Sequence, residues 1–313
     1  MPESSRIFDK KASTLDKQIA LLSQRGLVIK DEPKARHYLT NIGYYHLSGY
    51  MTHFQHCDRT DSHHQFFPGT TFDQILDVYT FDRKLRLLIM DAVERIEIAV
   101  KSAMINDLCV LYGPHWYMNK NHFTDGFKYD GFLQSIQKDI DHGKGRDKIK
   151  NASIRHYYET YDAPAMPPLW MVFEVLSFGT VSLMFGWLPH ADQKRLSGQF
   201  NLGVPVLKSW LHATTIIRNL CAHHSRLWNR IFTFKPLIPK GMEADFTPNT
   251  LFYAQALMLN VLMHSVSPES RWTEKLKDLL DEYPAIPKEK MGFPENWHNL
   301  PVWKVENKNQ GSK

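Results

Sequence analysis

The sequence predicts an all-α fold, and three observations carry that expectation. Apolar residues recur every three or four positions along residues 72–111, the spacing of one helix face. Capping pairs, glycines and prolines punctuate the chain where helices should start and stop. Few stretches alternate with period two for long enough to make strands. A helix approaching forty residues needs neighbours to cover its apolar side, so a helical bundle is expected.

The elements are expected in this order. Residues 15–25 form a first helix with Leu15, Ile19 and Leu22 on one face, a capping box of Ser13 with Asp16, and Gly26 as the stop. Asp31 and Pro33 open a second helical region whose Tyr38, Tyr44, Tyr45, Tyr50 and Phe54 read as core. Residues 57–69 turn polar and read as a loop. Thr71 with Gln74 caps the long helix, which allows an interruption near Phe81 and ends at Gly113 and Pro114. The run LWMVFEVLSFGTVSLMFGWL at 169–188 has the length of a membrane span. Glu174, Ser177, Gly179, Thr180 and Ser182 weaken insertion, and Pro167, Pro168 and Pro189 bracket the run, so a buried helix, or two short ones broken near Gly179, is expected instead. Pro205 opens a helix expected over 206–231, with Leu207, Trp210, Thr214, Ile217, Cys221, Trp228 and Ile231 facing inward. Helices over 246–266 and 269–280 come next, and no internal repeat is visible. The domain organisation expected is an N-terminal helical region (1–66), a helical core (67–283) with a basic insertion near 137–158, and a proline-rich C-terminal tail (284–313).

Composition narrows the class. The 313 residues, 43% hydrophobic and 23% charged, exclude a mini-protein, a disordered chain and a collagen-like one. Cys57, Cys109 and Cys221 lie far apart and are odd in number, so neither a disulfide framework nor a paired CxxC zinc site is expected, and a reducing cytoplasm is the expected compartment. The charged start of the chain lacks the apolar stretch of a signal peptide. Lys and Arg exceed Asp and Glu by 38 to 33, a mild lean toward anionic partners.

Residues 218–230, RNLCAHHSRLWNR, carry the densest chemistry. On a continuous helix the spacing 4, 3, 4 puts Asn219, His223, Arg226 and Arg230 in one stripe; Arg218 leaves about 100° to one side of Asn219, and His224 about 140° to the other. Cleavage of RNA by its own 2′-hydroxyl needs a base for that hydroxyl, an acid for the departing 5′-oxygen, and cationic donors for the phosphorane. His223 can serve as acid or base, Arg218 as a bidentate phosphate clamp, and Asn219 as the group orienting imidazole or substrate. His224, Arg226 and Arg230 are supporting candidates. One histidine is thin for two proton transfers, and a homodimer with two copies facing across a two-fold axis would supply the second. The same side chains, facing Glu94, Glu97 or Asp82 from the long helix, also fit a buried polar network with no catalytic role.

A second feature is the basic segment 137–158, with Lys144, Arg146, Lys148, Lys150 and Arg155, then His156, Tyr157 and Tyr158. It suits phosphate contact with base stacking on single-stranded RNA, and equally a solvated loop. His46, His53, His56, Cys57, His63 and His64 invite a metal reading, but His53 and Cys57 lack a second, similarly spaced pair, so no metal and no cofactor is expected. GxSxG, P-loop and GxGxxG patterns are absent.

Five ordered blocks carry a resemblance over nearly the whole chain: NIGYYHLSGYMTHF (41–54), FPGTTFDQILDVYTFDRKLRLLIMDAVERIEIAVKSAM (67–104), LSFGTVSLMF (176–185), RNLCAHHSRLWNR (218–230) and MGFPENW (291–297). The chain thereby resembles the Abi-like (abortive infection) family of bacteria, in its AbiD/AbiF branch. The resemblance implies a HEPN-type helical bundle with additional N- and C-terminal helices, dimeric, and, in active members, a metal-independent endoribonuclease. It implies that Arg218, Asn219 and His223 form the signature, with His224 the neighbouring candidate. It also implies a role in phage defence with toxin-like behaviour, and a small noncoding RNA as a restraining partner, as in some relatives. No membrane partner is expected.

Overall fold

The computed structural model describes residues 11–56, 64–141 and 148–304. It is helical as expected, with no strand among the described residues and only two isolated bridges, Val28 with Thr71 and Gln55 with Phe66. The chain divides into two compact units, Met1–Lys84 and Leu85–Lys313.

In the first unit, α1 (Leu15–Gln24) starts one residue later than the Ser13 box implied: Thr14 is the N-cap and accepts from the Lys17 amide. α2 (Glu32–Asn41) is capped by Asp31, whose carboxylate accepts from Lys34 N at 2.8 Å, and Pro33 occupies the first turn, where its missing N–H costs nothing. Gly43, at φ 89°, makes the corner into α3 (Tyr44–Met51) that a side chain would strain. Tyr50 is buried and donates to the buried Asp82 at 2.8 Å. Tyr45, expected in the core, is 92% exposed.

The capping box at Thr71 forms reciprocally: Gln74 N donates to Thr71 Oγ1 at 3.2 Å, and Thr71 N donates to Gln74 Oε1 at 2.8 Å. α4 (Phe72–Met104) then runs without interruption past Phe81. A π-helical turn at Ile105–Cys109 and α5 (Val110–Tyr112) carry it to Gly113, whose φ of 88° stops it.

The second unit holds the remaining helices. α6 (Tyr129–Asp141) and α7 (Ala152–Thr160) flank residues 142–147, which lie outside the described part. The membrane-length run is two short helices, α8 (Leu169–Val172) and α9 (Phe178–Gly186), as the alternative expected; the break falls at 173–177, with Ser177 capping α9 two residues before Gly179. No helix among the described residues is long and apolar enough to cross a membrane. α10 (His190–Gln199) leads to α11 (Val204–Ala222). α9 lies close against α11 at two glycines: a methyl on Gly179 would sit 3.3 Å from Thr215 Cγ2, and one on Gly186 3.2 Å from Lys208 Cε.

α12 (Phe252–Val266) begins six residues after the expected start. It is buried along most of its length. α13 (Trp272–Glu282) is anchored by Trp272 Nε1 donating to Leu88 O at 2.9 Å. Residues 284–304, read from sequence as the start of a proline-rich tail, pack on α12 through buried Phe293, Trp297 and Trp303, the last donating to Tyr253 Oη at 3.0 Å.

Candidate active site

The expected helix over 206–231 ends at Ala222, and this corrects the single stripe drawn from its spacing. His223 is the C-cap and His224 adopts φ 56°. Ser225 N donates to Leu220 O at 2.8 Å and His224 N to Cys221 O at 3.0 Å. These are the two bonds of a Schellman ending, with a histidine where glycine is usual. The turn reverses the chain, and the segment after it runs back along α11. Trp210 Nε1 donates to Leu237 O at 2.8 Å, Leu237 N donates to Ser209 Oγ at 2.9 Å, and the rings of His212 and Phe234 meet edge-on at 4.4 Å.

Leu227 and Trp228 are buried on the segment after the turn, not on a longer helix, and Ile231, expected inside, is 75% exposed. Arg226 and Arg230 therefore do not extend the α11 stripe. They sit in the returning segment, where Arg230 Nη1 donates to Arg226 O at 3.1 Å.

Arg218 and Asn219 stand on the last turns of α11, and His223 is its C-cap. Asn219 and His223 are exposed and Arg218 is half-buried. Arg218 Nη1 donates to Asn219 Oδ1 at 3.3 Å, so the amide oxygen steadies the guanidinium, and no hydrogen bond joins Asn219 to the His223 imidazole. Five residues apart at about 100° per residue, Arg218 and His223 leave the helix axis roughly 140° apart. His224 is exposed and held by the turn.

Arg218 points into an open groove of about 490 Å³ along α4, lined by Leu87, Met90, Asp91, Glu94, Glu97, Ile98 and Lys101. Two of its carboxylates are engaged within α4: Asp91 by Arg95 at 3.1 Å and Glu97 by Lys101 at 2.7 Å. Glu94 is exposed and makes no ion pair among the described residues, and neither does Arg218. Of the side chains expected as a possible buried network, Arg218 thus shares a groove with Glu94 and Glu97 without an ion pair to either. The groove joins segments more than a hundred positions apart, which no local spacing in the sequence can reveal.

The second basic feature is carried by a different element, α7. Lys148, Lys150 and Arg155 are exposed before and on α7, and no hydrogen bond or ion pair links them to α11; Lys144 and Arg146 lie outside the described residues. Tyr157, offered as a base-stacking ring, is buried, and its hydroxyl donates to Pro164 O at 2.8 Å, so it belongs to the core. The histidines of the first unit are dispersed among aromatic contacts: His46 beside Tyr79, His53 beside Phe54, His56 against Phe67 at 4.5 Å. Cys57 and His63 lie outside the described residues. Among the described residues no three His, Cys, Asp or Glu side chains are grouped to hold a metal ion.

The model of the Abi-like protein family matches residues 37–229, a span that takes in α4, α9 and α11 with Arg218, Asn219 and His223. No curated protein and no solved structure matches the chain.

Proposed function

Since the chain belongs to the Abi-like protein family, we propose that it acts in bacterial abortive infection as a HEPN-type, metal-independent endoribonuclease whose site is the end of α11. The observation that carries this reading is the presentation of Arg218, Asn219 and His223 together on the last turns and C-cap of one helix, with the imidazole open to solvent. An imidazole can exchange protons near neutral pH, and a guanidinium can hold two phosphate oxygens at once.

In the proposed reaction the 2′-oxygen attacks the adjacent phosphorus and its proton passes to a histidine. The phosphorane charge is met by Arg218, the bond to the 5′-oxygen breaks, and a second histidine gives that oxygen a proton. The products are a 2′,3′-cyclic phosphate and a free 5′-hydroxyl. Each chain supplies one His223, and the divergence of Arg218 and His223 on one helix favours a site shared by two copies, in which the guanidinium of one copy and the imidazole of the other converge on one phosphate. Lys148, Lys150 and Arg155, with Lys144 and Arg146, are proposed to hold RNA away from the cut, either substrate or a restraining small RNA.

The test is incubation of wild-type protein and His223→Ala with total bacterial RNA in EDTA, with the new ends mapped for cyclic phosphate. Wild-type cleavage leaving cyclic phosphate, slowed about 100-fold or more in the variant, is expected for loss of a general acid or base. Equal cleavage by both proteins would overturn the assignment. Tight RNA binding by both without cleavage would make the chain a binding regulator.

A further inference from the structure

Residues 193–242 contain no Asp or Glu, yet carry eight Lys and Arg together with His212, His223 and His224. The whole chain has a formal charge of +5, so the rest of it is net negative; of the eight cations, Arg195 is held by Asp107 and Asp192, and the segment remains a net attraction for anions. α11 contributes one exposed stripe to the segment. Lys208, His212, Asn219 and the C-cap His223 are all exposed, and their spacing keeps them within about 60° of one another around the helix.

Aromatic rings stand beside that stripe. Lys208 Nζ lies 5.9 Å from the centre of the Trp187 ring while donating to Gly186 O at 3.0 Å. Trp187 is stacked on Phe127, with centroids 5.4 Å apart, and both rings are partly exposed. One turn further along, Phe234 is half-exposed against His212 and precedes the exposed Lys235. The bonds of Leu237 to Trp210 and Ser209 pin this returning segment to α11, so Phe234 is held in place before any ligand arrives. Neither Lys208 nor Lys235 makes an ion pair among the described residues, which leaves both charges available to a phosphate.

We infer that this face of α11 is a track for single-stranded RNA, holding the nucleotides that flank the bond cut at His223. Lys208 and Lys235 take phosphates, and the half-exposed Phe234 ring takes a base face. The inference rests on the reading of the chain as a protein that acts on RNA, and it adds the substrate class. Bases in a duplex are already stacked and offer no face to a ring, so the track selects unpaired or looped RNA. From Lys208 to His223 the helix rises about 22 Å, on the order of six stacked nucleotides at ~3.4 Å each.

The experiment uses the full chain with a labelled 12-nucleotide single-stranded RNA and a dinucleotide containing one cleavable bond. The variants are Phe234→Ala and the double variant Lys208→Gln with Lys235→Gln. Phe234→Ala is expected to weaken binding of the 12-mer ~5-fold or more, the loss typical of one stacked base. The double variant should lower the slope of log affinity against log salt by about 1.4, since each phosphate contact on a single strand contributes roughly 0.7. Both variants should cut the dinucleotide with wild-type kcat/KM. Wild-type affinity and kcat/KM for the 12-mer in both variants would overturn the track while leaving the ribonuclease reading intact. Equal losses on dinucleotide and 12-mer would indicate damage at the cutting end and would also overturn it. A wild type that neither binds nor cuts RNA would end both readings; if it binds without cutting, the 12-mer affinities alone decide.

Discussion

The left-handed turn at His224 makes a prediction whose sign separates two structures of the same sequence. Consider His224→Gly and His224→Ala, which both remove the imidazole and differ only in one methyl group. At φ 56° a Cβ costs about 1–2 kcal/mol that glycine avoids. Glycine in turn loses more chain entropy on folding, by roughly 0.4–1 kcal/mol. The glycine variant should therefore be the more stable of the two by about 0.5–1 kcal/mol. If the helix instead continued through residue 231, as its apolar periodicity suggests, the order would reverse, because glycine in a helix interior is about 1 kcal/mol worse than alanine. Urea unfolding of the two variants, compared at equal slope, measures the difference directly. A more stable alanine variant would refute the turn and with it the position of His223 as a C-cap. The same pair bears on chemistry: with His223 in place, His224→Gly should retain RNA cleavage.

Two more outcomes are expected from groups outside the site. Arg195 holds two carboxylates, Asp107 at 2.6 Å and the buried Asp192 at 2.7 Å, while Tyr112 donates to Asp192 at 3.0 Å. Arg195→Ala strands both acids and should cost about 2–4 kcal/mol in urea unfolding, below the full ~3–5 for a buried pair because Arg195 is itself partly exposed to solvent; a loss under about 0.5 kcal/mol would show that the network does not anchor the end of α4. Burial holds His115 and His264 below the ordinary histidine range, the latter against the opposing pull of Glu274. The unfolded chain then binds protons at these positions that the native state refuses, so stability present above about pH 6.5 is lost as the pH falls through the lowered native values. His264→Gln should flatten the slope of unfolding free energy between pH 7 and 5, and an unchanged slope would assign it to other groups.

Much of the fold arises from patterns that act over a few residues. The spacing of Phe72, Ile75, Leu76, Leu85 and Ile89, all buried, is a property of one helix face and needs no neighbour to be read. The Thr71 and Gln74 box closes within four residues, and it forms as the side chains alone require. The family is likewise carried by ordered words of sequence, and so is the placement of Arg218 and Asn219 on one helix. These are local determinants, and the sequence by itself decides them.

The path of the chain beyond Ala222 is decided by tertiary structure. Leu227 and Trp228 keep the apolar rhythm of α11, and rhythm reports only that a residue will be buried, not by what. Here they are buried on the segment that turns back, and burying two such side chains is worth about 1.5–3 kcal/mol each, enough to offset a left-handed histidine costing about 1–2 kcal/mol. No local propensity at His224 announces that balance. Tyr157 and Tyr45 exchange their expected places for the same reason: an aromatic ring in sequence carries no mark of whether another element will cover it. The groove that brings Arg218 beside Glu94, and the pinning of Phe234 against His212, join segments through contacts that exist only once the helices have packed, because charge and stacking act across space and not along the chain.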